Sequence, residues 1–518
     1  MQNNIGADAL GARQTFIPQT RLGWIVTILF SVLAVIFFVE LLNVIFVDPY
    51  TDEPILFTFM GSLSNIPIAP LSLLMFGALM LVLGVGMPLS FGSGALTILF
   101  MYLVGDKYML NIIPTRVFPM MTNYQLSAIP LFIFMAAMLE RAGLIDDMFT
   151  VVYKWLGGLR GGLASATIVA STILAAMVGI VGAAVVTMGM IALPAMLSRK
   201  YDPKIALGSV LAGGTLGILI PPSILAIVYA VVAQESVGEL YIGAVLPGLM
   251  LSGLYVAYVT TRSLINPKLG PALPKEERVS MREKLILLRG MIAPIILIVL
   301  VLGMIFTGLA TPVESAGVGS FGAMLVAAMH KRLTFTAVKE ACFICMKNSA
   351  MVLWIMFGAS TFVGFYILQG GGDFVSQMML GTGMGSYGVL LLMMVILIFL
   401  GMFLDWIGIL LLAVPIFIPI VSGLEFNGLF GLPGPDPADA ALWFGVIYLV
   451  NMQMSFISPP YGSALFYIRG VTPPEISTAT IFKASIPFLG LQAFGLFLCI
   501  VFPEIVLYLP RLAYGGGG

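Results

Sequence analysis

The chain is 518 residues long, 60% hydrophobic and 9% charged, with a mean hydropathy of +1.08. Its 24 basic and 24 acidic residues cancel, so composition excludes both an ordinary soluble domain and a nucleic-acid binder. A single histidine excludes an HExxH zinc motif, and neither a GxxxxGK[ST] loop nor a GxSxG elbow stands in context, so no enzyme is expected. Without a nucleotide site, uphill transport would need an ion gradient.

Trp24 to Val47 is long enough to cross a bilayer, follows a polar segment and lacks a small-residue cleavage site. It is read as a retained span carrying Glu40 and, with a loop holding Asp48, Asp52 and Glu53, forms an extension over residues 1–65. The chain then repeats itself. Pro88 pairs with Pro312 at an offset of 224 and Leu193 with Ile418 at 225. Pro221 pairs with Pro459 and Tyr229 with Tyr467, both at 238, and Pro247 with Pro487 at 240. The jump of 13 falls in the loop Ser422 to Trp443. The repeats are assigned to 66–265 and 290–510, joined by a basic linker over 266–289 and followed by a tail over 511–518.

Lys and Arg gather in cytoplasmic loops. That places inside the regions around Lys154, around Arg199, from Arg262 to Arg289, and from Lys331 to Lys347. The partners of the first two, Gln369 to Ser386 and Ser422 to Trp443, hold no Lys or Arg. The partner of the fourth, Gly105 to Asn123, holds only Lys107 and Arg116. Equivalent loops lie on opposite sides, so the repeats are inverted.

Gly161 to Ser198 begins and ends in basic loops, and its 38 residues are few for two full spans and a turn. It is predicted to be a re-entrant hairpin with its tip near Val178 to Ala184. Its counterpart, Gly385 to Val421, turns near Gly401 to Gly408 and opens to the other side. The next crossing contains GGTLGILIPPS, Gly213 to Ser223, where three glycines and a Pro pair break the helix. Its counterpart is NMQMSFISPPYGS, Asn451 to Ser463. The expected fold is all-α and polytopic, with two hairpin tips meeting two broken helices around a pseudo-twofold axis.

Unwound carbonyls and helix C-termini can coordinate a cation, and helix N-termini attract an anion. Sodium needs only oxygen ligands. The first candidate site joins Gly179 and Gly182 at the tip to Gly214, Thr215 and Gly217. The second joins Asp405 to Ser455, Ser458 and Gly462. Close helix packing is the alternative role for the glycines. Asp405 is an acid inside an apolar run, read either as a cation ligand or as a cap on a half-helix. Pro221, Pro222, Ser223, Pro459, Pro460 and Tyr461 are the candidate substrate-facing residues, with Tyr461 equally readable as a packed ring. Glu314, just after Pro312, is assigned to a helix N-terminus. Cys342 and Cys345 form a CxxC with no second ligand pair, which is read as helix packing. No metal beyond sodium and no cofactor is expected.

The runs SAIPLFIFMAAMLERAGL, VGIVGAA, GGTLGILIPPS, ATPVESAGVG, GMFLDWIG and FISPPYGSALF, in this order over about Pro70 to Pro503, resemble the large membrane subunit of tripartite ATP-independent periplasmic (TRAP) transporters. The resemblance implies sodium-driven uptake of an organic anion, commonly a carboxylate, by an elevator motion in the bacterial inner membrane. It implies two partners, a small four-helix membrane subunit and a periplasmic substrate-binding protein. Members often carry serines where this chain has Val181 and Ala183, which shifts ligation there to backbone carbonyls. One extra helix cannot replace four, so the small subunit is expected as a separate chain. The loop Phe430 to Asp439 resembles a branch associated with 2-oxo and hydroxy acids. The competing readings are a standalone ion-coupled anion carrier and a membrane scaffold without transport.

Overall fold

The computed structural model describes residues 61–514, except positions 106, 180, 275 and 276, together with Val35 and Phe38 ahead of them. Apart from Val35 and Phe38, the expected span Trp24 to Val47 with Glu40 lies outside the described residues, as do its acidic loop and the Gly515–Gly518 end. Every regular element among the described residues is helical. The described residues fall into two compact units, divided after Pro114. In the first, Ile68–Gly84 and Leu89–Val104 pack together around Gly92, where a Cβ would lie 2.8 Å from Val82 Cγ1.

The second unit carries six long apolar helices that can cross a bilayer: Val237–Ile265, Met281–Phe306, Pro312–Met329, Phe335–Leu368, Pro437–Ile457 and Thr478–Val501. Local signals start several of them. Thr311 and Glu314 form a reciprocal capping box ahead of Pro312–Met329, which gives Glu314 its role at a helix N-terminus. Cys345 donates its thiol proton to the Pro130 carbonyl in ordinary helix packing.

Val181–Ser198 also has the length and composition of a span, but it is the return limb of a hairpin. Gly162–Val178 runs to Gly179, whose φ of +62° ends the helix, and the chain turns back. The far ends of the limbs meet, since Leu163 N donates to Tyr201 Oη at 3.2 Å and the Thr167 hydroxyl faces Met196 Sδ. Gly385–Gly401 and Trp406–Ser422 form the second hairpin. Its base closes where the Ser386 hydroxyl donates to the Glu425 carbonyl at 2.6 Å and Tyr387 packs on Phe426.

The first broken helix begins at Asp202, whose carboxylate accepts from Lys204 N and Ile205 N, with Pro203 in the first turn. Pro203–Thr215 tightens into a single 3-10 turn, Leu216–Ile218, and unwinds through the cis Pro221–Pro222 bond. It resumes as Ile224–Ala233 under a Ser223 cap. The second broken helix differs from the sequence expectation. Asn451 to Ile457 stay helical, and only Ser458 to Gly462, around the cis Pro459–Pro460 bond, unwind before Ser463–Val471. The first break is preceded by Gly213, Gly214 and Gly217, which weaken the helix, whereas no glycine lies between Gly445 and Ser458.

The hairpins open to opposite sides. The first is stitched at its base to the basic linker: Gly161 N donates to Gly270 O at 2.8 Å, Asp202 N to Leu269 O at 3.0 Å and Leu273 N to Gly157 O at 2.8 Å. The first broken helix leaves that side and ends beside the start of the second, where the Tyr229 hydroxyl donates to Ala441 O at 2.7 Å. At that same end Trp443 meets Phe426 of the second hairpin's base, ring centroids 5.1 Å apart.

Two contacts at these bases give tests. Arg199 holds the Glu277 carboxylate at 2.5 Å and keeps its pKa below the usual range. A depressed carboxylate stabilises above its unfolded pKa and loses that contribution as the pH falls through the folded value, below about 4.3. Amide exchange across 266–280, corrected for intrinsic rates, should rise over that interval and should rise at neutral pH in Arg199→Ala. A flat profile would contradict the linker's attachment. On the opposite side, Arg511 binds Asp436 and Asp439 at 2.7 Å each and Glu504 at 2.6 Å, tying the 423–439 loop to Glu504–Tyr514. Arg511→Ala leaves three carboxylates without their shared cation and should speed proteolysis of that loop about fivefold, since exposed pairs contribute about 1 kcal/mol or less.

Candidate functional site

The first tip is built by close backbone approach. A Cβ on Gly179 would lie 2.9 Å from the Pro222 carbonyl oxygen and 3.7 Å from Ile224 N, so the tip rests directly on the first break. Gly214 faces the return limb, where a Cβ would collide with Val185 Cγ2 and lie 3.1 Å from the Val185 backbone. Gly213 faces the outgoing limb at Ser171, and Gly217 is buried in the 3-10 turn. Gly182 instead abuts the ring of Tyr467, where a Cβ would lie 3.2 Å from Cε2, and this links the first tip to Ser463–Val471 of the other repeat.

Thr215 is not turned toward this tip. Its hydroxyl donates to Ala212 O at 2.9 Å and accepts from Gln492 Nε2 at 3.3 Å, so the side chain faces Thr478–Val501. The Ser223 hydroxyl is likewise engaged, donating to Ile218 O and accepting from Ala226 N as the cap of the second half-helix. What converges at the first tip is therefore backbone: the C-terminal ends of Gly162–Val178 and Pro203–Thr215, and the unwound carbonyls through Pro222. Such ends carry negative partial charge.

The second tip repeats this arrangement and adds a side chain. Asp405 occupies the cap position of Trp406–Ser422 with extended backbone, yet makes no side-chain cap hydrogen bond. It remains accessible, with Trp406 N and Ile407 N beside its carboxylate and the Tyr448 and Tyr467 rings nearby. Gly401 approaches Ser455, 2.5 Å from a hypothetical Cβ to the hydroxyl oxygen, and Ser455 donates to Leu397 O at 3.5 Å. Ser458 donates to Met454 O at 2.7 Å, and Gly462 N to Ser458 O at 2.9 Å. A Cβ on Gly462 would lie 2.5 Å from Phe456 O and 2.9 Å from Ser458 O, so carbonyls crowd this break.

The two breaks differ in access. Pro221, Pro222 and Ser223 are buried, while Pro460 and Tyr461 are exposed and Pro459 is half-buried. The Tyr461 ring packs on Phe403 at 5.4 Å with one face open. Tyr467, 43% exposed, lies at the same edge. Sequence reasoning used Tyr467 only as a marker of the repeat, paired with Tyr229. Tyr229 is fully buried and anchored, whereas Tyr467 bridges Gly182 and the field of Asp405. Gln492 was missed altogether.

Paired re-entrant hairpins and paired broken helices in an all-helical, multi-pass chain define the class as a membrane transporter of inverted-repeat architecture. The same fold occurs in the YdaH transporter of Alcanivorax borkumensis, with a TM-score of 0.53 and 15% identity over 95% of this chain and 98% of that one. It occurs also in MtrF of Neisseria gonorrhoeae, with a TM-score of 0.54 and 14% identity over 85% and 96%.

Residues 74–505 match the DctM component of the tripartite ATP-independent periplasmic transporters, and the chain belongs to that family. It is 30% identical over 456 residues to the C4-dicarboxylate TRAP transporter large permease protein DctM of Rhodobacter capsulatus, covering 85% of this chain and 99% of that one. It is 32% identical over 422 residues to DctM of Pseudomonas aeruginosa, covering 81% and 93%. The sialic acid TRAP transporter large permease protein SiaM of Vibrio cholerae is 28% identical over 434 residues, covering 83% and 96%. The chain is thus a large TRAP permease, a multi-pass protein of the bacterial inner membrane.

Proposed function

We propose that this permease imports an organic carboxylate, coupled to sodium, by an elevator movement of the body formed by the hairpins and broken helices. The observation that carries the reading is Asp405. It is an accessible carboxylate at the second tip, and it makes no well-formed cap hydrogen bond to the helix it precedes, where Trp406 N and Ile407 N approach only loosely. With Ser455, Ser458 and the turn at Gly462 it suits a small hard cation at the second tip, and the carbonyl ends near Gly179, Gly214 and Gly217, beside Gly182, suit another at the first.

The half-helices Ile224–Ala233 and Ser463–Val471 start beside the two Pro pairs, and their N-termini suit an anion. Pro460 and Tyr461 form the accessible part of that surface, and Pro221, Pro222 and Ser223 the closed part. C4-dicarboxylates and sialic acid, named for the relatives, are both carboxylates, which supports that substrate class. A small membrane subunit and a periplasmic binding protein complete the proposed system.

Reconstitution in liposomes with both partners tests this. Uptake of a labelled dicarboxylate or 2-oxo acid should require an inward sodium gradient and the binding protein. Full uptake without the binding protein would support a standalone carrier instead, and no uptake of any carboxylate would remove the substrate class.

A further inference from the structure

Thr478–Val501 lies against the first broken helix along one line of contacts. Gly208 admits Phe488, since a Cβ there would collide with the Phe488 ring and lie 2.8 Å from Ala484 O. One helical turn further, Gln492 reaches Thr215. Positions 488 and 492 share a helix face, as do 208 and 215. The Tyr255 ring packs edge-on against Phe488 at 5.7 Å, and its hydroxyl faces the Gln492 amide.

Thr215, Tyr255 and Gln492 are all fully buried. The Gln492 amide donates to Thr215 and lies against the Tyr255 hydroxyl, while its Oε1 has no well-formed partner among the described residues. Burying polar atoms without partners is costly, and an aliphatic side chain would fill the same position without that cost. A long amide here is therefore hard to explain as packing. Its hydrogen bond to Thr215 joins the second repeat to the last helical turn before the first break. Because the Thr215 hydroxyl also donates to Ala212 O, the bond fixes the rotamer of a residue that holds the helix's carbonyl end together.

We propose that Gln492 is a positioning residue for the first cation site. Through Thr215 it sets the carbonyl end of Pro203–Thr215, so ion affinity depends on a side chain that does not touch the ion. The inference rests on the sodium reading given above.

The test measures, for the full complex in liposomes, the sodium concentration giving half-maximal uptake together with the apparent melting temperature. Gln492→Leu should raise that concentration about two- to tenfold, the range of one net hydrogen bond, with uptake retained at saturating sodium. Thr215→Val should do the same, Thr215→Ser should behave as wild type, and the Thr215→Val/Gln492→Leu double variant should add no further shift. The Thr215 pair reads the same contact from its other end if Gln492→Leu folds poorly. A lower melting temperature with unchanged sodium dependence in both Gln492→Leu and Thr215→Val would reduce the contact to packing and overturn the inference alone. Sodium-independent uptake by wild type would overturn the sodium reading and this inference together.

Discussion

Asp405→Asn is expected to lower sodium affinity about 30- to 100-fold, abolishing uptake at ordinary sodium, while leaving the folded protein about as stable as wild type. The two halves of that expectation have one cause. Asp405 makes no well-formed cap hydrogen bond, only looser approaches of Trp406 N and Ile407 N, so the fold loses little when its charge is removed. The isosteric amide keeps an oxygen that can accept from the same two N–H groups, so removing the charge leaves the turn intact. The number of charged ligands tunes the affinity of an oxygen-lined cation site over several orders of magnitude, and loss of the single charged ligand here is placed at about 30- to 100-fold. If Asp405 were a structural cap, Asp405→Asn would lower the melting temperature and sodium affinity would survive in the folded fraction. Sodium-dependent thermal shifts of wild type and variant separate these outcomes.

Gly179→Val should have the largest effect of any single substitution at the first tip. Its φ of +62° is strained for a side-chain-bearing residue by roughly 1–2 kcal/mol, and more for a β-branched one. The new Cβ would also sit 2.9 Å from the Pro222 carbonyl, against backbone that cannot yield without moving the break. The expected result is an apparent melting temperature lower by several degrees and uptake reduced below detection. Gly179→Ala should give a smaller version of both. Gly253→Ala, where a Cβ meets nothing within 4 Å, should be neutral or slightly stabilising through helix propensity. Equal effects at 179 and 253 would show that the tip's close approach to the break is unimportant.

The features legible in the sequence were those governed by local rules. Proline and glycine act within a turn or two of themselves, so both hairpin tips, both Pro-pair breaks and the inverted repeat could be read from spacing and loop charge. Glu314 was readable for the same reason, because a capping box spans only four residues. The second break is shorter than the repeat alone suggests. The absence of glycine before Ser458 was the available signal that Asn451 to Ile457 would stay helical.

What was not legible depends on which way a helix is turned. Glycine spacing identified the last turn of Pro203–Thr215 as special, but not that Gly213, Gly214 and Thr215 face three different neighbours. Thr215 meets Gln492 from 277 positions away, a pairing fixed only by tertiary packing. The same holds for Tyr229 and Tyr467, equivalent in the repeat yet one a buried anchor and the other at the accessible edge.

Cation and substrate are expected to move together through the paired tips. Entry of labelled sodium and of a labelled carboxylate, followed simultaneously in the reconstituted three-component system, tests it most directly. Sodium should enter with the carboxylate in a fixed ratio above one, and Asp405→Asn should stop both. Carboxylate entry with no accompanying sodium, or coupled entry that persists in Asp405→Asn, would contradict the account.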